Sequence, residues 1–336
     1  MKKIFVTGIV LLLCLFILPI LIVDRPTGTA LGNQPPVLPA VPTPANTSEN
    51  TEMNKDAKTV VRVLTESGDV VEQSMKEYLW SVVAAEMPAA FELEALKAQA
   101  VTARTYAAWK VGAGETKHPQ ADVCTDINCC QAFLDKEQAV EKWGSSAEFY
   151  TDKIFTAISE TDGQIMTYDG QPIQAVFFSS ANGRTEDAVS VWGNSVPYLV
   201  GVETPEGEDV PNYRTEVVLT ADEFRTTFLE EYPGADLNED ATKWFENKTM
   251  SASGRVATLD VGGITVKGTE LRSLFGLRST SFEVEATAEN VIFRVTGYGH
   301  GVGMSQYGAN ALAKQGKPYR EILTWYYTGV KIGENA

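Results

Sequence analysis

The first regular pattern along the chain is a pair of apolar runs around a turn. Val60, Val61 and Val63 precede Ser67-Gly68-Asp69, and Val70 and Val71 follow it, which predicts a β-hairpin. Ser74, with Glu77 three residues on, has the form of a capping box, and Tyr78, Val82 and Ala85 then recur at helical spacing. Pro88 disfavours helical geometry at Met87, so this helix should end close to Glu86. A second helix is predicted over residues 92–111, with Leu93, Leu96, Ala100, Ala103 and Ala107 as its buried stripe. Residues 131–204 alternate short helices and strands, with 173–180 reading as a buried strand and Ala181-Asn182-Gly183 as a turn. From residue 205 to about 289 the sequence turns acidic and β-rich, with an amphipathic helix over 222–232 and a shorter one over 269–275. A strand over 291–296, a glycine loop and helices over 306–314 and 319–327 complete the pattern, with Gly316 as a helix stop. The fold class is α+β, a compact mixed core over residues 59–204 and 291–333 with an inserted second lobe over 205–290.

Two segments precede that core. Met1-Lys2-Lys3 lead into an unbroken apolar run over residues 4–23, long enough to span the ~30 Å hydrocarbon layer. The lysines place its N-terminal side in the cytoplasm, so residues 1–23 read as an uncleaved membrane anchor with the rest of the chain outside the cell. The alternative is a cleaved signal peptide, although Asp24-Arg25-Pro26 does not resemble a cleavage site. Residues 24–58 are rich in Pro, Thr, Asn and Ala and read as a disordered, extended linker.

Charge narrows the partners. A formal net charge of -16 argues against nucleic acid, whose phosphates require clustered Lys and Arg. It leaves room for a mostly neutral polysaccharide, held by hydrogen bonds and ring stacking.

Glu86 is the candidate acid. Glycoside cleavage needs a carboxyl group that stays protonated and can pass its proton to the leaving oxygen. The negative end of the helix dipole and the apolar neighbours Val82, Val83 and Met87 both disfavour the charged form. On the next helix, Gln99 and Tyr106 lie about two turns apart and share a face, as substrate-lining groups would; Arg104 binds substrate or pairs with a structural carboxylate. The run Gly297-Tyr298-Gly299-His300-Gly301-Val302-Gly303-Met304-Ser305-Gln306 has glycine at every second position through Gly303, which lets the backbone come close to a ligand and does not match phosphate-loop spacing. His300, Ser305 and Gln306 are candidate sugar contacts, with a helix cap as the alternative role of Ser305.

Cys124, Cys129 and Cys130 follow His118 within a short span. Cys3His is a tetrahedral zinc composition, and four protein ligands would make the site structural. One disulfide from Cys124 to Cys129 or Cys130, with a spare thiol, is the rival in an oxidising exterior.

Several of these runs together resemble the stage II sporulation protein D family. They are Val82-Val83-Ala84-Ala85-Glu86-Met87-Pro88, Glu94-Ala95-Leu96-Lys97-Ala98-Gln99-Ala100-Val101 with Ala103-Arg104-Thr105-Tyr106, Phe177-Phe178-Ser179-Ser180-Ala181-Asn182-Gly183-Arg184-Thr185, and Gly299-His300-Gly301-Val302-Gly303-Met304-Ser305-Gln306-Tyr307-Gly308-Ala309. The resemblance covers roughly residues 60–330. It implies a lytic transglycosylase of sporulation that cuts the N-acetylmuramic acid–N-acetylglucosamine bond of peptide-stripped strands and leaves a 1,6-anhydro end. Glu86 is then acid and later base, and the sugar's 6-hydroxyl replaces water. Ser180 falls in a shared motif and joins the substrate contacts. Implied partners are peptidoglycan strands, a sporulation amidase and a membrane scaffold protein of the engulfment complex, with the enzyme between the mother-cell and forespore membranes. Some members bind zinc in the segment matching His118 to Cys130; members often carry His-Cys where this chain has Cys129-Cys130, which leaves the fourth ligand open. A non-catalytic wall-binding activator of an amidase, or a plain muramidase, are the competing readings.

Overall fold

The computed structural model describes residues 55–112 and 117–334. The expected anchor, and the linker up to residue 54, lie outside the described residues. Among the described ones no helix is long and apolar enough to cross a membrane.

The end of the expected linker is folded. Lys55–Lys58 forms one helical turn with Asp56 buried. The main-chain N–H groups of Lys55 and Asp56 donate to the Asp162 carboxylate at 2.8 and 2.9 Å. Arg104 Nε donates to Asp56 Oδ1 at 2.9 Å. Disorder through residue 58 is therefore corrected: a polar composition gave no hint of these distant partners.

Strands Val60–Leu64 and Val70–Ser74 pair antiparallel, as the turn between them predicts. Ser74 caps the next helix, Met75–Glu86, by accepting from Glu77 N–H at 3.2 Å. The backbone leaves helical geometry at Met87 (φ -112°, ψ 143°), where the following proline requires it. The central helix, Leu93–Gly112, is buried around most of its circumference. Small side chains on several faces let the helices Met75–Glu86, Ala147–Ser159, Gln306–Lys314 and Tyr319–Tyr326 approach it closely. The expected strand over 173–180 is shorter than its apolar run: Phe177–Phe178 forms the strand, parallel to Met304–Ser305, and Ser180 adds an isolated antiparallel bridge to Tyr298.

The second lobe has its own core, built on Phe224, Phe228, Trp244, Leu271 and Phe293. Two antiparallel three-stranded sheets carry it, with Asn290–Thr296 central in one and Val256–Val261 central in the other. The strand over 291–296, expected in the first core, belongs here. It pairs with Arg214–Thr220, and Val291, Phe293 and Val295 fill the lobe's interior. The glycine loop is consequently the path by which the chain returns from the lobe to the first core.

Candidate active site

Helix end, glycine loop and lobe meet at one cavity of about 600 Å³, within the usual range for ligand sites. Glu86 lies on its wall, half-buried where the first helix stops. Its Oε1 accepts from the Ala132 N–H at 2.7 Å, and its Oε2 faces Gln306 Nε2 at 3.4 Å. Burial pushes the Glu86 pKa up, while these two donors pull it back part of the way. The carboxyl is held in position by groups from two distant segments and keeps a face toward the cavity.

The glycine loop forms another part of the wall, through Tyr298, Gly299 and His300. Gly297, Gly299, Gly301 and Gly303 all take positive φ. A Cβ at Gly303 would sit 2.1 Å from the Val176 carbonyl oxygen, so close strand pairing there requires glycine. This contortion sets His300 on the wall, packed between Phe178 and Trp192 with ring centroids 5.7 and 5.5 Å away. His300 Nδ1 accepts from the Val302 N–H at 3.1 Å. Burial and the nearby Arg272 and Arg255 guanidiniums push its pKa down to about 4, so the imidazole is neutral at physiological pH.

Tyr106, His300 and Gln306 thus share the cavity with Glu86. Four other expected substrate contacts do not line it. Gln99 is wholly buried inside the central helix. Arg104 is committed to Asp56 and to the Gln164 carbonyl at 3.0 Å, the structural pairing that was its other reading. Ser180 is buried, and its backbone exchanges hydrogen bonds with Tyr298 at 2.8 and 3.1 Å; its neighbour Ser179 faces the cavity instead. Ser305 caps the helix Gln306–Lys314 by accepting from Gly308 N–H at 3.2 Å, and its hydroxyl donates to buried Glu206. Motif membership did not separate residues that shape the loop from residues that face the ligand.

His118, Cys124, Cys129 and Cys130 form a cluster whose ligand atoms all lie within 4.8 Å of one another. His118 Nε2 is 3.2 Å from Cys129 Sγ, and the three cysteines are free thiols. The donor set fits a metal ion: three sulfurs and one imidazole converge, as tetrahedral coordination requires. Burial raises the Cys124 and Cys130 thiols, that of Cys130 to about 12, so a cation there would have to displace protons. The cluster adjoins the cavity. Cys130 lines it, the Tyr106 hydroxyl donates to the Cys129 carbonyl at 3.3 Å, and Ala132, two residues on, holds Glu86.

Arg272 and Tyr298 also line the cavity and were not anticipated. The sequence held little signal for them: Arg272 is one of five arginines in an otherwise acidic lobe.

The family described as stage II sporulation protein matches over residues 65–168. The chain is 34% identical over 342 aligned residues to stage II sporulation protein D of Bacillus subtilis (strain 168), covering 99% of this chain and 96% of that protein. It is 36% identical over 282 residues to the protein of the same name from Bacillus amyloliquefaciens, covering 83% and 80%. An amidase enhancer of Bacillus subtilis (strain 168) is 30% identical over 305 residues, covering 76% of this chain and 40% of that protein. Similarity at that level over nearly the whole length makes this chain a member of the stage II sporulation protein D family.

Proposed function

We propose that the protein is a lytic transglycosylase of peptidoglycan acting in sporulation, with Glu86 as its acid and base. The observation that carries this reading is a single half-buried carboxyl, raised in pKa, on the wall of a cavity it shares with His300 and Gln306. A protonated Glu86 donates to the glycosidic oxygen as the bond breaks, and the resulting carboxylate then takes the proton of the muramic 6-hydroxyl as it closes on C1. One carboxyl serves both steps because no water has to be activated from the other face of the sugar. Ala132 and Gln306 stabilise the carboxylate formed between the two steps. Tyr298 and Phe177, both partly exposed on the cavity wall, offer rings for sugar faces.

His118, Cys124, Cys129 and Cys130 are the residues that would hold a structural zinc ion. With four protein ligands it would supply cross-linking of the loop and no open coordination position. The chain would act outside the cell on peptide-stripped strands, anchored by residues 1–23, alongside an amidase and a membrane scaffold protein; the name of the amidase-enhancer relative supports the link to an amidase.

The test is incubation of the purified protein with peptide-free glycan strands and analysis of the ends by mass spectrometry. Anhydro-muramic ends are expected, with about 10²–10⁴-fold loss in Glu86→Gln. Reducing ends would make it a muramidase. Intact strands, with stimulation of an added amidase, would make it a non-catalytic activator.

A further inference from the structure

The lobe presents three arginines to the glycine loop. Arg272 lines the cavity; its Nε donates to the Leu277 carbonyl at 3.3 Å, and it has no carboxylate within ion-pair distance among the described residues. The Arg278 guanidinium lies 4.0 Å over the Tyr298 ring, with its buried Nε unpartnered. Arg255 is 1% exposed, and none of its guanidinium nitrogens has a hydrogen-bond partner. It is pressed under the loop, so that a Cβ at Gly301 would meet its Cζ at 2.7 Å. The acids that act on it electrostatically are Glu186, whose Oε2 already accepts from Ser251 and Ser253 at 2.5 and 2.6 Å, and Glu206, whose Oε1 already accepts from the Ala181 N–H and the Ser305 hydroxyl.

This is an unusual place to leave cations without a directly paired carboxylate. The chain carries a net charge of -16, yet Glu86 is the one carboxylate among the residues lining the cavity. Desolvated guanidiniums without anions are costly to fold, and an arriving anion offsets that cost. A guanidinium offers a planar fork of donors and no acceptor, so it matches a carboxylate and discriminates against an amide.

We infer that Arg272, backed by Arg255 and Arg278, forms an anion subsite for the lactyl carboxylate of a muramic acid residue whose peptide has been removed. The inference rests on the glycan reading above. With the peptide attached, the same position is a neutral amide: it brings no charge to the subsite, and its N–H opposes a donor. The second lobe would then select which muramic acid residues enter beside Glu86.

The experiment compares two versions of the same peptide-free strands, one with free lactyl carboxylates and one with those groups converted to methylamides. Wild-type protein should show a kcat/KM at least about tenfold higher on the free acid, the worth of one hydrogen bond between charged groups, expressed mainly in KM. In Arg272→Gln the ratio should fall close to one, and Arg272→Lys should keep part of it. Binding to Glu86→Gln, followed by calorimetry, should show the same preference without turnover. Equal cleavage of both strands by the wild type would overturn the carboxylate subsite and leave the glycan reading standing. Cleavage and binding of neither strand would remove both. Thermal unfolding of Arg272→Gln checks that the fold persists, and the wild-type comparison decides the matter even where it does not.

Discussion

The Ala132 N–H donates to Glu86 Oε1 at 2.7 Å, which ties the acid to the loop that carries the His/Cys cluster. The two residues are 46 positions apart, so this bond exists only when the loop is held in place. Loop and acid are thereby coupled: whatever fixes Cys129 and Cys130 also fixes the donor that stabilises the ionised carboxyl.

Disturbing the cluster should therefore be felt at Glu86. In Cys129→Ser, or after chelation, we expect loss of bound metal, a lower unfolding temperature and reduced cleavage of glycan strands. Metal analysis of the purified protein, with thiol titration beside it, is the check. One stoichiometric disulfide and no metal would reject the metal centre outright.

The pH profile should carry the signature of a raised carboxyl. The acid form of Glu86 is populated below its pKa and lost as pH rises through it, so activity should decline on the alkaline side. Gln306 donates to the carboxylate and favours ionisation. Gln306→Leu should therefore move that limb to higher pH. Tyr106, Cys130, Arg272 and His300 also face the cavity. His300, with a pKa near 4, adds no titration between roughly pH 5 and 8, so His300→Asn should leave the position of the limb in place whatever it does to the rate. A limb that moved with His300→Asn and stayed fixed with Gln306→Leu would reassign the acid.

Local signals reached the elements and stopped short of the site. The hairpin, the helix stop before Pro88 and the helix Gln306–Lys314 were legible because turn residues, proline geometry and helical spacing act within a few positions. The position of Glu86 at that helix stop was legible for the same reason; its place on the cavity wall depends on distant segments. Gln99 was misread, and Arg104 left open between two roles, because helical spacing fixes which residues share a face but not what that face meets. Here the central helix is surrounded, so polar residues on it turn inward. The strand over 291–296 was misassigned because an alternating apolar pattern does not name the core it fills. The place of Arg272 on the cavity wall was not legible because it depends on a lobe folding back onto a loop beyond it in sequence.

The Asp56–Arg104 pair gives a stability test at a distance from the chemistry. Both side chains are buried, and Arg104 also spans to the Gln164 carbonyl. Removing one partner leaves the other charge buried and uncompensated, so Asp56→Ala or Arg104→Met should each cost about 3–5 kcal/mol in chemical denaturation. The double variant should recover part of that loss. Additive losses would show that the pairing itself contributes little.

The glycine loop offers a test of whether its backbone shape is required position by position. Gly303 and Gly316 both have positive φ, +77° and +83°. A non-glycine residue in that region costs about 1–2 kcal/mol. At Gly316 a Cβ meets nothing within 4 Å, so Gly316→Ala should cost about that much and retain activity. At Gly303 the same Cβ meets the Val176 carbonyl oxygen at 2.1 Å and the Val176 backbone carbon at 3.1 Å, contacts that no rotamer change relieves. Gly303→Ala should then lose about 1–3 kcal/mol more, the usual cost of overpacking. It should also displace Met304 from its pairing with Phe177, and with it the wall that carries His300. Equal unfolding free energies for the two variants would show that the loop yields easily and that its alternating glycines do not hold the cavity wall in shape.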